Sequence, residues 1–441
     1  MKPLHLLVLG AFVNSLGTGM TAFAIGVHMY AVHKSATAVA LAQLCAFAPV
    51  VLLAPVAGVM ADRHDRRLMM AIGDGGSVLG LALVAAALLT QAPSWLILVG
   101  VTASSVFAAL TEPALKASVS DLVSQDEYVR ASGLFSLAAA AKFLLAPIAA
   151  AFLVGVVGTV GIVTIDAATC LVTVGISLYV RQLVGTRLSR RDRGVLAELR
   201  EGWQAVVGNT PVRTAVMLIG MVTVATGTVQ TLLKPILLPI ASVETVGTVE
   251  TVAAIGLLLG SALLAPLGSM RPTTLLTLGL VGMGVAMAAF ALRPDPVWIG
   301  AVGLALFLVL PICNAGAEAL VRSRLHVDVQ ARAWGLISPL SQAGYLMAFV
   351  AAGPLADRVM EPLMAQGGSW ADSIGVVMGT GAGRGSAVLV TIMGLSVIAV
   401  GVGSHLLRGV LDPTGETDDG VATGGAPAPH QAASDKAVAP C

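Results

Sequence analysis

Residues 58–67 read GVMADRHDRR. A glycine, an Ala-Asp-Arg triplet and two further arginines stand between two apolar runs, 37–60 and 68–91. Each run is long enough for a helix to cross a hydrocarbon layer roughly 30 Å thick. The segment therefore reads as a short charged turn pinned at a membrane surface. The rest of the chain agrees: its 441 residues are 56% hydrophobic and 11% charged, with a mean hydropathy of +0.89. One soluble core cannot hide that much apolar surface. A transmembrane barrel would need short alternating strands, which the sequence lacks. The expectation is an all-α integral membrane protein.

Apolar runs outward from this turn predict spans at 5–31, 37–60, 68–91, 95–116, 131–154 and 160–180, then at 213–240, 249–269, 274–292, 296–321, 333–353 and 386–408. Twelve transmembrane helices thus fall into two six-helix bundles, 1–182 and 213–408. Between them lies RQLVGTRLSRRDRGVLAELREGW, residues 181–203, and the segment 183–212 reads as a cytosolic linker with an amphipathic helix. The tail, 409–441, is rich in Gly, Ala, Pro and Asp and is expected to be disordered in the cytosol. With the N-terminus inside, 19 of the 25 Lys and Arg fall in cytosolic segments and five in outer ones, leaving Lys142 within a helix. This positive-inside bias places both termini in the cytosol. LLVLGAFV could serve as a signal-peptide core, but its apolar run continues to Tyr30, so the first helix is expected to be retained.

The halves echo each other. ASGLFSLAAAAKF from Ala131 matches AWGLISPLSQAGY from Ala333 at an offset of 202, and EPALK from Glu112 matches EALVR from Glu318 at 206. LLAPVAG from Leu52 matches LLAPLGS from Leu263 at 211. Either these are chance matches of short stretches or the bundle is duplicated; equal helix numbers favour duplication, with a substrate site between the halves near mid-membrane. A second Ala-Asp-Arg occurs in GPLADRVMEP, residues 353–362, but its offset of 295 fits none of these and it faces outward by parity. It is read as an outer helix end stopped by Pro354.

A carboxylate beside three guanidinium groups can act as an ionic latch. Asp62, beside Arg63, Arg66 and Arg67, can face the N-terminal end of a helix from the opposite half, near Ala333, where peptide dipoles favour an anion. The alternative is a plain positive-inside anchor. The turn, with Gly58, Ala61, Asp62, Arg63, Arg66 and Arg67, resembles the signature loop of the major facilitator superfamily, with Asp65 in place of the usual glycine. Its Asp-Arg-His-Asp-Arg-Arg form is similar to the drug:proton antiporter branch of macrolide-efflux permeases and enterobactin exporters. TEPALKASVSDLV, ELREGWQAVVGN and GTGAGRG extend the resemblance to about residue 410. It implies the major facilitator fold in a bacterial inner membrane, a latch closing the inner side, and alternating access. Two departures weaken a copied mechanism. Ser104 stands where many antiporters carry arginine, and the Gly-Pro antiporter signature survives only as Ala146-Pro147.

Ionisable residues inside spans are costly and so point to function. Four stand out: Glu112, Lys142, Asp166 and Glu318. Lys142 and Asp166 lie at similar depth on adjacent helices. They form either a structural ion pair or, as this pair or as Lys142 with Glu112, a group that gains and loses a proton during the cycle. Glu112 and Glu318 either face an inner vestibule or pair with Lys116 and Arg322, four residues on. Asp74 is expected to brace Arg66 and Arg67. Polar candidates for the substrate cavity are Asn14, Thr18, Thr21, Thr226, Gln230 and Asn314; each could equally bond between helices. No Walker-type loop occurs, and GTGAGRG falls on the outer side, so an ion gradient rather than ATP is the expected energy source, with no cofactor. The four cysteines suggest neither a disulfide framework nor a metal site. The expected function is proton-driven export of an amphipathic small molecule, a drug, macrolide-like antibiotic or siderophore, by a monomer in the bilayer that binds no nucleic acid and is not an enzyme. Uptake of a polar solute and a non-transporting scaffold or sensor are the alternatives.

Overall fold

The computed structural model describes residues 2–123, 125–184, 203–204, 206–325 and 327–406. The expected linker therefore lies largely, and the tail wholly, outside the described residues. Among those residues the chain is helical with no strand: α1 Lys2–His33, α2 Ala36–Arg63, α3 Arg66–Leu89, α4 Ser94–Ala108, α5 Thr111–Leu122, α6 Gln125–Leu144 and α7 Ala146–Val184 in the first part. The second holds α8 Thr210–Leu237, α9 Val243–Leu267, α10 Pro272–Ala288, α11 Pro296–Arg324, α12 Val327–Leu355, a π-helical turn Ala356–Met360, α13 Glu361–Met364, α14 Ile374–Met378 and α15 Arg384–Leu406. Ten described helices are long and apolar enough to cross a membrane, and α10 is a shorter apolar one.

Local chemistry sets the boundaries. Asn209, Ser242 and Asp295 accept backbone N–H bonds from the first turns of α8, α9 and α11 at 3.2, 3.3 and 2.9 Å. Proline opens α10 and α11, where its missing N–H costs nothing. The run expected at 95–116 is divided, because the chain departs from the helix at Ala109 and Leu110 between α4 and α5.

The 39 residues of α7 would make a rod about 58 Å long at 1.5 Å per residue, too long for one crossing. They are not one rod. Gly158 has φ 68° and ψ 177°, a conformation L side chains avoid. On α1, a Cβ at Gly19 would stand 2.5 Å from Ala146 Cβ, and one at Gly17 would stand 2.7 Å from Asp166 Oδ1. Residues before and after Gly158 thus meet α1 at neighbouring positions, so the chain doubles back there, as the expected gap between 154 and 160 requires.

α1, α3, α4 and α7 pack together in one bundle; α8, α10, α11, α12 and α15 pack in the other, with α9 against α11. The bundles meet where α2 lies on α12 and α8, and where α7 lies on α9. The largest buried apolar cluster fills the second bundle and reaches into the first through Met20, Phe23, Ala24 and Ala150. The two ends of this interface are called below the Ser35 end, between α1 and α2, and the Asp65 end, between α2 and α3.

Candidate functional site

At the Asp65 end, the charged turn is organised by the residue that departs from the usual pattern. The Asp65 carboxylate caps α3, accepting from Arg67 N at 3.1 Å and Leu68 N at 3.4 Å, and its other oxygen lies 2.5 Å from Arg181 Nε on α7. Arg66 donates to the Ala117 carbonyl of α5 at 2.7 Å, and Arg67 is buried. Asp62 lies on the last turn of α2, but its side chain falls outside the described residues. Asp74 does not brace the arginines; it is buried deeper along α3 and accepts from Thr111 Oγ1 at 3.0 Å. A Cβ added at Gly58, or at Gly335 near the start of α12, would meet nothing within 4 Å.

The Ser35 end is closed between the bundles, and the second Ala-Asp-Arg closes it. The expectation that Pro354 stops this helix is wrong: α12 continues through Leu355 into the π turn of Ala356–Met360. The turn's extra residue relieves the backbone around proline. Asp357, within this turn, reaches the other bundle at the first turn of α2. Its Oδ2 accepts from Ser35 Oγ at 2.6 Å and Thr37 N at 2.8 Å, and its Oδ1 accepts from Ala36 N at 2.9 Å. A carboxylate on unpaired N–H groups at the positive end of a helix is a favourable anion site. Glu361, one turn on, accepts from Gly383 N and Ser386 at the start of α15. Arg384 is buried there, donating to the carbonyls of Ala291 and Met378.

Further contacts seal the same end. Gln43 of α2 donates to the Gln230 carbonyl at 3.1 Å and accepts from Thr231 Oγ1 at 3.2 Å, both on α8. The Phe47 ring meets Tyr345 and Phe349 of α12 edge-on at 5.5 and 5.8 Å. Gly353 lies so close to α2 that a Cβ would stand 2.7 Å from Thr37 Cα, and one at Gly247 of α9 would stand 2.6 Å from Pro147 O. Lys234, counted in sequence with the outer loops, is instead a buried helical residue. Its Nζ lies 2.5 Å from Glu250 on α9 and 4.9 Å from the Phe23 ring centroid of α1.

The sequence candidates separate. Lys142 and Asp166 approach the same stretch of α1, but among the described residues they form no ion pair within 4.0 Å. Lys142 Nζ stands 5.9 Å from the Phe143 ring, while Asp166 is 2% exposed. Of the two readings open for Glu112 and Glu318, the arrangement seen is pairing, with Lys116 at 2.7 Å and Arg322 at 3.8 Å, all largely exposed. Asn14 accepts from Cys170 Sγ at 3.6 Å, Thr21 is buried, and Thr18 and Asn314 are exposed. Thr226 is buried, its hydroxyl donating to the Val222 carbonyl of its own helix at 2.7 Å. Gln230 offers its backbone, not its side chain, to Gln43. Asp357, Gln43, Lys234 and Glu250 escaped the sequence reading; only the echoed Ala-Asp-Arg signalled the first of them.

The model of the Major Facilitator Superfamily matches residues 7–349. Macrolide efflux protein A of Streptococcus pyogenes is 24% identical over 368 residues, covering 79% of this chain and 88% of that protein. The protein of the same name from Enterococcus faecalis is 26% identical over 312 residues, covering 67% of this chain and 93% of that one. Among solved structures, a bacterial homolog of the human lysosomal transporter Spinster, in an inward-facing and unoccupied conformation, aligns with a TM-score of 0.68 at 15% identity, covering 93% and 98% of the two chains. The nucleoside transporter NupG aligns with a TM-score of 0.70 at 12% identity, covering 92% and 99%. At these identities the structural likeness concerns the fold alone.

Proposed function

Because this chain belongs to the major facilitator superfamily, and so is a membrane transporter rather than an enzyme, we propose that it exports amphipathic small molecules from the cytosol in exchange for protons. The observation that carries the reading is the asymmetry of the interface: the bundles are joined at the Ser35 end by Asp357, Gln43 and Phe47, while Gly58 and Gly335 face open space at the Asp65 end. That is one of the two states an alternating-access carrier must visit. Twelve spans with both termini in the cytosol put the open end inside, where a substrate for export enters, and the membrane is the bacterial inner one. In the opposite state the Asp62 carboxylate, positioned by the Arg63, Arg66 and Arg67 turn, closes the inner end against α12, while Asp357 releases α2.

Relatives named for macrolide efflux support a macrolide-like or similarly amphipathic drug as substrate. The transporter works as a monomer driven by the proton gradient without a cofactor. The side chains of Asn14, Thr18 and Asn314 are the polar groups proposed to meet the substrate. The test is a toxicity and accumulation panel in an efflux-deficient bacterium, with and without a protonophore. Export predicts lower accumulation of labelled drug, reversed by the protonophore. Higher accumulation, or protection that survives the protonophore, would contradict it.

A further inference from the structure

Asp166 is buried in the first bundle without a cation. It is 2% exposed, and among the described residues no Lys, Arg or His nitrogen lies within 4.0 Å of it. An unpaired carboxylate in that setting is several kcal/mol uphill as an anion. Around it are oxygens. Thr169 Oγ1 lies 3.5 Å from Asp166 Oδ1 while donating to the Asp166 carbonyl at 2.7 Å, and Thr21 stands one turn beyond Gly17 on the face of α1 that Gly17 turns to this carboxylate. Thr21 is 8% exposed and its buried oxygen has no hydrogen-bond partner. Gly17 leaves the room, since a Cβ there would collide with Thr169 Oγ1 and stand 2.7 Å from Asp166 Oδ1. A carboxylate with two hydroxyls is too few oxygens for a metal cation, which takes about six. It suffices for a proton.

We propose that Asp166, with Thr21 and Thr169, is the binding site of the coupling proton, which takes Thr21 out of the substrate cavity and singles out one of four candidate ionisable groups. The inference rests on the proposed proton exchange. In the loaded state the proton sits on a carboxylate oxygen as an O–H donor; on release that oxygen becomes an acceptor for the threonine hydroxyls. Among the described residues, the charged and titratable groups near Asp166 are Lys142 of α6, Asp74 of α3 and Cys170 of its own helix. Lys142, near but not paired, offsets the charge left when the proton departs.

The link to the gate is α1 itself. Thr21 shares the face of α1 on which Gly17 meets Asp166, while Phe23 and Gly26, within five residues of it, face Lys234 of the other bundle. Separating the bundles at the Ser35 end requires α1 to leave Lys234, and a tilt of α1 against α7 in that step moves Thr21 relative to Asp166. Proton binding and opening of that end are thereby linked through one element.

The experiment uses the full chain in proteoliposomes, with spin labels at Val32 and Gln366 reporting opening of the Ser35 end as pH is varied without drug. The unsubstituted protein is expected to show a pH-dependent open fraction. Asp166→Asn should abolish that dependence, and Thr21→Val should displace its midpoint by about half to one pH unit, the effect of one hydrogen bond. Asp74→Asn should retain the dependence. Full pH dependence in Asp166→Asn, an unmoved midpoint in Thr21→Val, or opening that follows sodium at fixed pH would each overturn the assignment. Because no drug is present, failure of the export reading leaves these outcomes unchanged, and proton-coupled export with an intact Asp166→Asn response would sink this inference alone.

Discussion

Asp357 and Asp62 stand in the same Ala-Asp-Arg tripeptide, and Asp357 sits where its carboxylate reaches a helix start in the other bundle, the role proposed above for Asp62 at the opposite end. Asp357 accepts three bonds at α2. Charge-assisted bonds contribute about 1.5 to 3 kcal/mol each when fully buried, and less here because the carboxylate is only part-buried. Asp357→Ala is expected to weaken closure by about 2 kcal/mol, roughly 30-fold in the closed-to-open ratio, read as faster labelling of a cysteine placed at Ala40. Asp62→Asn is expected to abolish drug export in vesicles at unchanged expression. Lys234 and Glu250 make a different prediction. Removing either partner leaves a buried charge and should cost about 3 to 5 kcal/mol, seen as a lowered unfolding temperature in detergent; replacing both with apolar residues of similar size should restore most of it.

Helices were the legible level, because apolar length and caps are local. The gap between 154 and 160 marked the reversal at Gly158, since that signal lies within a few residues. Contacts between helices were not legible. Ser35 and Asp357 are 322 residues apart, and the offset that marks a duplication says nothing about a carboxylate that needs only a helix start to bind. The same blindness placed Lys234 in a loop, although its partner Glu250 is on the next helix. At this scale the glycines give a paired prediction. Gly353→Leu should prevent α12 from approaching α2, favouring opening of the Ser35 end. Gly58→Leu should leave the present state and its stability intact and still reduce export, because the space it fills is needed when the Asp65 end closes. Export assays with unfolding curves in parallel check both.

On the proposed function, bundles joined at the Ser35 end by Asp357, Gln43 and Phe47 are those of a carrier on one side of its cycle. The many small residues at the closed end, such as Gly353, Gly247 and Ala151, let backbones approach with little side-chain ordering, so neither state need be deeply favoured. Reversible latches at the two ends then decide which state is populated, and substrate and proton act by binding one state better than the other. The most direct measurement places two label pairs on the full chain in lipid: Val32 with Gln366 across the Ser35 end, and Leu68 with Ser323 across the Asp65 end. On driving the cycle with drug and a pH gradient, the first distance should lengthen as the second shortens, in the same fraction of molecules. Both distances changing in the same sense, or neither changing while drug is exported, would contradict the account.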